Sequence, residues 1–190
     1  MSSAASDVYK RQIDNGSDDK SITYVKNKFS EVKIIQNDNN YGYAGGYNKG
    51  LSKIDYDYYV LLNNDVEVSK DWLNPLFELL ESDENFATCQ PKIKSYYNKS
   101  KFDYAGGSGG YLDFLGYPFC RGRIFDSMEE DFGQYDDKKE IFWSSGACFM
   151  IKSKVFKKLN GFDFDFFAHM EEIDLCLSLI HISEPTRLSG

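Results

Sequence analysis

At 190 residues, with 42% apolar side chains and four cysteines, the chain is large enough to bury one core and lacks the cysteine density of a disulfide-stapled scaffold. Acidic residues outnumber basic ones by 30 to 22, for a net charge of −8, and no run of Lys or Arg segregates into a basic patch, which argues against a nucleic-acid partner. No apolar stretch approaches the length of a membrane span.

Cys89, Cys120, Cys148 and Cys176 form no C-x-x-C pair and have no metal-ligand spacing, so they read as reduced thiols of a cytoplasmic protein. The two ends stand apart at the nucleotide level. Back-translated as GAT GTG TAT AAG AGA CAG, Asp7–Gln12 has a reverse complement, CTG TCT CTT ATA CAC ATC, that encodes Leu177–Ile182. The relation resembles a transposase-type sequencing adapter on both sides of an insert, so residues 1–12 and 177–190 are expected to be adapter-derived and non-native. Residues 13–176 are then one partial domain. On this reading the first strand is cut away and the helix after Asp174 is replaced by Leu177–Ile182 and broken at Pro185, so the chain as written is expected to be a poor catalyst.

Taken in chain order, strand and helix signals alternate, which predicts an α/β fold with a mostly parallel sheet and helices on both faces, truncated at both ends. Ile13 reads as the last residue of a strand, followed by the turn Asp14–Asp19 and a helix near Ser21–Phe29. Val32–Gln36 is a short strand. Asn37–Gly50, rich in Asn, Gly and Tyr, reads as a loop feeding a helix that ends before Asp55. Tyr58–Leu62 is an apolar central strand, and Ser69 is expected to cap a helix running to Leu80. Phe86–Ile93 is a further strand candidate. Between Ser95 and Lys139 the chain is aromatic and glycine-rich without periodicity, which predicts a functional surface loop. Order returns with Phe142–Ile151 and a helix over Ser153–Leu159.

Three acidic or amide clusters fall where a parallel sheet would present its carboxyl edge, the ligand side of open α/β sheets: Asp14-Asn15, Asn63-Asn64-Asp65, and Glu171-Glu172 with Asp174. Asp65 follows five apolar residues directly, which suits a carboxylate that must meet a diphosphate-bound cation. Convergence of Asp14, Asp65 and Glu172 on one crevice is the expectation. His169, next to an aromatic pair, reads as structural, and most of the loop aromatics read as packing.

These motifs, Ile13-Asp14-Asn15-Gly16-Ser17, Asn40 to Gly50, Leu61-Leu62-Asn63-Asn64-Asp65, Ser145-Gly146-Ala147-Cys148, Gly161-Phe162-Asp163 and Glu171-Glu172-Ile173-Asp174, resemble family 2 glycosyltransferases of the rhamnosyltransferase-like kind, in family order. The resemblance implies a GT-A fold, a dTDP- or UDP-sugar donor, Mn²⁺ or Mg²⁺, and inverting transfer of rhamnose or a similar sugar to a hydroxyl of a growing cell-surface polysaccharide or lipid-linked glycan. It also implies a cytoplasmic enzyme, with peripheral association at the inner membrane face for the full-length protein. Under the resemblance Asp14 accepts from the uracil or thymine ring N–H, and Gly42, Gly45 and Asn48 lie beside the nucleoside. Asn63-x-Asp65 stands for the D-x-D of many relatives, with Asp65 the metal ligand and Asn63 a neutral oxygen donor. Gly146, with Ser144 and Ser145, lines the donor-sugar or acceptor pocket. Direct displacement at the anomeric carbon needs a base for the acceptor hydroxyl; by position that is Glu172, with Glu171 sharing the role and Asp174 capping or orienting the next helix.

Two other classes compete. A catalytically inactive nucleotide-sugar or carbohydrate-binding module would not need Glu172 and Asp65. A sugar nucleotidyltransferase would want a Gly-rich, basic phosphate loop near the N-terminus, which is missing. Transferred sugar, no turnover, or released pyrophosphate distinguishes the three.

Overall fold

The computed structural model describes residues 8–104 and 106–183. They form two compact units, one from residues up to Asp55 with Phe164–His169, the other from Tyr56–Asp163 with the residues from Met170 onward.

In the first unit, β1 (Arg11–Asp14) leads through α1 (Ser21–Lys28) to β2 (Lys33–Gln36) and then α2 (Gly42–Leu51). β1 and β2 pair in parallel, with Arg11 opposite Lys33 and Asp14 opposite Gln36. The first strand is therefore present, contrary to expectation, and it begins inside the stretch read as foreign. An edge pair of four residues needs little apolar sequence, because ladder hydrogen bonds depend on the backbone. The Asn- and Gly-rich stretch after β2 also differs from the expected loop: it is helical from Gly42. Here glycine serves close packing. A Cβ at Gly50 would fall 2.7 Å from Ile13 Cγ1, and one at Gly46 would fall 2.9 Å from Asn15 Cγ, so α2 lies on β1 at a distance that larger residues would not allow.

The second unit centres on one strand. It contains β3 (Tyr58–Leu62), α3 (Leu73–Ser82), β4 (Thr88–Cys89), the short strands β5 (Gly110–Leu112), β6 (Pro118–Cys120), β7 (Arg123–Ile124) and β8 (Ser127–Met128), then β9 (Cys148–Lys152), α4 (Ser153–Lys158) and α5 (Glu171–Ser183). All five residues of β9 are buried, and it runs antiparallel to β3 on one side and β4 on the other. This corrects the expected mostly parallel sheet: among the described ladders only β1–β2 is parallel, and β3 and β4 run parallel to each other without touching, because β9 lies between them. Leu76 and Leu80 of α3 pack with Cys89 and Met150 to close one side of this sheet. Lys152, buried at its far end, donates to the carbonyls of Asp83 and Glu84 at 3.1 Å each, just past the C-terminus of α3, where a cation is favoured.

Other local expectations shift. Ser69 does not cap α3; the chain turns at Asp71 (φ 57°) and enters the helix through Trp72 with no side-chain cap. The Phe86–Ile93 strand shrinks to two residues. The region between Ser95 and Lys139, expected to be irregular, contains the four-stranded antiparallel meander β5-β6-β7-β8, whose strands are too short to register as periodicity. α5 runs unbroken through Leu177–Ile182. Ile173, Cys176, Leu177 and Ile180 fall at helical spacing, and Leu177 joins the core made by Cys120, Trp143, Ile173 and Cys176. Pro185 lies outside the described residues. No helix among them is long and apolar enough to cross a membrane.

Candidate active site

In the first unit, Asp14 ends β1 with only 8% of its surface exposed. Its carbonyl accepts the Asn37 N–H at 2.8 Å, while its carboxylate takes only a long 3.4 Å contact from the Ser17 N–H. An amide network next to it fixes the loop into α2. Asn15 Nδ2 donates to Asn40 Oδ1 (3.0 Å) and to the Gly42 carbonyl (2.8 Å), and its Oδ1 accepts from Asn37 Nδ2 (3.2 Å) and the Tyr41 N–H (3.3 Å). The sequence reading assigns Asn15 no role of its own. Its signal was the recurrence of Asn just past both strand ends, at positions 15 and 37.

Gly42 and Gly45 stand at the start of α2. Gly42 has φ 69°, and a Cβ there would overlap the Phe167 carbonyl, whose oxygen accepts the Tyr43 N–H at 2.7 Å. At Gly45 a Cβ would meet Tyr41 Cβ at 2.8 Å and the Phe164 ring at 2.9 Å. The chain's own atoms thus give both glycines a packing reason, beside the close approach of a nucleoside expected for them. Asn48 lies half-buried one turn further along the same helix.

In the second unit, the end of β3 and the entry to β9 are joined by register. Leu62 pairs with Cys148, and the Asn63 N–H donates to the Ala147 carbonyl at 3.0 Å, so Asn63-Asn64-Asp65 turns away beside Ser145-Gly146-Ala147. Asp65 is exposed in that turn. Ser145 is held from below: its N–H donates to Gln90 Oε1 at 2.7 Å, and its Oγ accepts the Ala147 N–H at 3.2 Å. On the other side of the segment, the Ser144 N–H points to Cys176 Sγ at 3.4 Å, which ties β9's entry to the first two turns of α5.

Those turns carry the acidic motif. Glu171 and Glu172 begin α5 after an irregular stretch, so they occupy a helix N-terminus instead of the strand end expected for them. The helix start favours carboxylates through its exposed N–H groups and dipole. Asp174, expected to cap or orient the next helix, is the fourth residue of α5, and its N–H bonds the Met170 carbonyl at 2.9 Å. His169 and Met170 precede the helix with φ of 74° and 75°, an uncommon left-handed pair that sets where the two glutamates emerge. Glu171 is 4% exposed. Glu172 Oε2 and Ser144 Oγ are buried oxygens to which no protein group supplies a hydrogen bond. Burial without a partner is costly for a carboxylate oxygen, and a bound ligand or water that donates to it would offset that cost. Burial also pushes the Cys176 thiol between them up to about 12, with Glu172 adding to the shift, so it remains a neutral packing group.

A model of the family described as Glycosyl transferase family 2 matches residues 12–160. The chain belongs to that family. Similar proteins include the low-salt glycan biosynthesis hexosyltransferase Agl10 of Haloferax volcanii, 23% identical over 77% of this chain and 45% of that protein. The N-acetylglucosaminyl-diphospho-decaprenol L-rhamnosyltransferase of Mycobacterium tuberculosis is 22% identical over 85% of this chain and 57% of its own length. Rhamnosyltransferase WbbL of Escherichia coli is 28% identical over 66% of this chain and 46% of its own length. The chain thus spans about half the length of the curated relatives it matches. A crystal structure of GalNAc-T7 with UDP, GalNAc and Mn²⁺ aligns with a TM-score of 0.64 at 16% identity, covering 90% of this chain and 34% of that one, which shows a GT-A fold.

Within the family 2 match lie Asp14, Gly42, Gly45, Asn48, Asn63, Asp65 and Gly146, while Glu171 and Glu172 follow its end. Among the described residues no group of three or more His, Cys, Asp or Glu side chains is arranged to hold a metal ion. A single exposed carboxylate at a strand-end turn does not fit a cation stored by the protein alone. It does fit Mg²⁺ or Mn²⁺ carried by a diphosphate, since such ions take one or two carboxylates and complete their shell with phosphate oxygens and water.

Proposed function

We propose that the chain carries the donor-binding and base-bearing part of an inverting glycosyltransferase that moves a sugar, rhamnose or similar, from a dTDP- or UDP-sugar to a hydroxyl of a growing cell-surface polysaccharide or lipid-linked glycan, in the cytoplasm at the inner membrane face. The observation that carries it is the buried, unpartnered Glu172 oxygen at the start of α5, tied through Ser144 and Cys176 to the segment that bonds the Asn63-x-Asp65 turn. An acceptor hydroxyl bonded to that oxygen would satisfy it and give up its proton there as the new bond to the anomeric carbon forms and the bond to the diphosphate oxygen breaks. Asp65 would hold a Mn²⁺ or Mg²⁺ ion, which would supply charge neutralisation to the diphosphate leaving group. Asn63 adds a neutral oxygen nearby, Gly146 keeps the segment beside it free of a side chain, and Glu171 shares the acidic environment. Asp14, with most of its carboxylate capacity unused by the protein, suits the ring N–H of a uracil or thymine. Gly42, Gly45 and Asn48 form the frame next to it. The rhamnosyltransferase and hexosyltransferase names of the similar proteins support the donor class, and the diphospho-decaprenol in one of them supports a lipid-linked acceptor.

Incubation of a full-length enzyme that carries this segment with a panel of labelled dTDP- and UDP-sugars, followed by product analysis, tests this. Sugar transferred to glycan or glycolipid with release of the nucleoside diphosphate is the expected result. Donor binding without turnover across the panel, or release of pyrophosphate, would overturn it.

A further inference from the structure

The meander β5-β6-β7-β8 concentrates exposed apolar side chains at one end. In an antiparallel meander alternate turns share an end, so the β5–β6 and β7–β8 turns project on one side and the β6–β7 turn on the other. With Leu112 opposite Pro118 and Cys120 opposite Arg123, Phe125 stands level with the base of the β5–β6 turn. The first turn presents Phe114 (94% exposed), Leu115 (67%) and Tyr117 (68%), and the second presents Ile124 (64%) and Phe125 (88%). Scattered apolar residues on a surface need no explanation, but five on two neighbouring turn tips do.

Both turns are fixed. Asp113 Oδ1 accepts the N–H groups of Leu115 (2.8 Å) and Tyr117 (2.9 Å), and the Asp113 N–H donates to the Tyr117 carbonyl at 3.0 Å. Phe125 has φ 51°, a left-handed conformation that is rare for a bulky side chain and that turns up where structure serves a function. The sheet is also anchored to the candidate site. The Gly110 N–H donates to the Trp143 carbonyl at 3.0 Å, and the Trp143 indole donates to the Tyr111 carbonyl at 2.9 Å. The first tip therefore stands about 10 Å, three extended residues beyond Tyr111, from the segment that leads into Ser144.

We propose that this end of the meander is a membrane-docking edge that inserts Phe114, Leu115, Tyr117, Ile124 and Phe125 into the boundary between headgroups and acyl chains, and so presents the site to a lipid-linked acceptor. The proposal rests on the lipid-linked acceptor reading above. Aromatic rings with aliphatic neighbours are the side chains that partition to this boundary. Two turns at one end of the meander suit a fluid interface, whereas a rigid protein partner would need a cleft to match them. The charge selects the kind of membrane contact: Asp113 and Asp126 flank the tips and the whole chain is acidic, so insertion is apolar and owes nothing to anionic lipid.

Vesicle flotation of the 190-residue chain with phosphatidylcholine, with and without phosphatidylglycerol, tests this. The native chain is expected to float with pure phosphatidylcholine vesicles, equally at low and high salt. Phe114→Ser and Phe125→Ser should each weaken partitioning roughly tenfold and together roughly 10²-fold, with Tyr97→Ser, removed from another exposed site, unchanged. Phe114→Ser alone keeps the test intact should the double variant misfold by circular dichroism. No partitioning of the native chain, equal partitioning of the variants, or binding that requires phosphatidylglycerol and disappears in salt overturns the proposal. So does self-association that the variants abolish in the absence of vesicle binding. Vesicle binding of the chain, with no transfer to any lipid-linked acceptor by a full-length enzyme that carries it, leaves the edge standing and removes the acceptor reading. Transfer by the double variant at the native rate removes the edge and keeps that reading.

Discussion

Gly42→Ala separates packing from ligand contact at the start of α2. The position has φ 69°, where an L side chain costs roughly 1–2 kcal/mol. The added Cβ would overlap the Phe167 carbonyl and lie 2.8 Å from Phe167 Cδ2. Backbone cannot step aside as a side-chain tip can, so overpacking adds about 1–3 kcal/mol. The 2.7 Å hydrogen bond from Tyr43 to that same carbonyl is then stretched or lost, for about 1 kcal/mol more. The expected destabilisation is about 3–6 kcal/mol, a large share of the stability of an ordinary domain. Gly116→Ala is the control: its φ is 84° but nothing lies within 4 Å of its Cβ, so it should show only the conformational cost of roughly 1–2 kcal/mol. Urea unfolding of the three proteins, with nucleotide-sugar binding measured by calorimetry, gives both readouts. Loss of donor affinity at Gly42→Ala with stability within about 1 kcal/mol of native would refute the packing argument and return this glycine to the nucleoside.

Three further outcomes follow from the site and the core. In a full-length enzyme that carries this segment, Glu172→Gln should leave donor binding nearly intact while lowering turnover by roughly 10²-fold or more, whereas Asp65→Ala should weaken metal-dependent donor binding and turnover together; equal losses of donor binding in both variants argue against this division of roles. Chelation should abolish donor binding by the native chain and change little in Asp65→Ala, as read by calorimetry with and without Mn²⁺. Burial pushes the Cys89, Cys148 and Cys176 thiols up to about 12 from 9.0. Because the folded state keeps these protons longer than the unfolded chain, their contribution is complete below about pH 9 and is lost as pH rises toward 12; the urea midpoint should therefore fall steadily above about pH 9, and a flat profile there contradicts it.

The sequence alone determined the family and the order of its motifs, because strand ends and turns are written in local residue types. Tyr58–Leu62 leading straight into Asn63-Asn64-Asp65 is strand then turn by composition. It also placed α4 within a residue of its observed end. Tertiary structure decided what local sequence cannot encode. β9 is inserted antiparallel between β3 and β4 because burying all five of its residues requires neighbours on both edges, and those neighbours are some 60 to 90 residues away. The glycines of α2 looked like loop residues until Ile13, Asn15 and Phe167 occupied the space their missing side chains leave. The meander was hidden because strands of two or three residues are specified by pairing and not by periodicity. Arg11–Gln12 and Leu177–Ile182, set aside on nucleotide grounds, still form strand and helix, since parallel pairing draws on the backbone and helical packing asks only for apolar residues at the right spacing. The burial of the Glu172 oxygen against no partner, on which the proposed chemistry rests, is likewise a property of where α5 docks and of nothing in its own four letters.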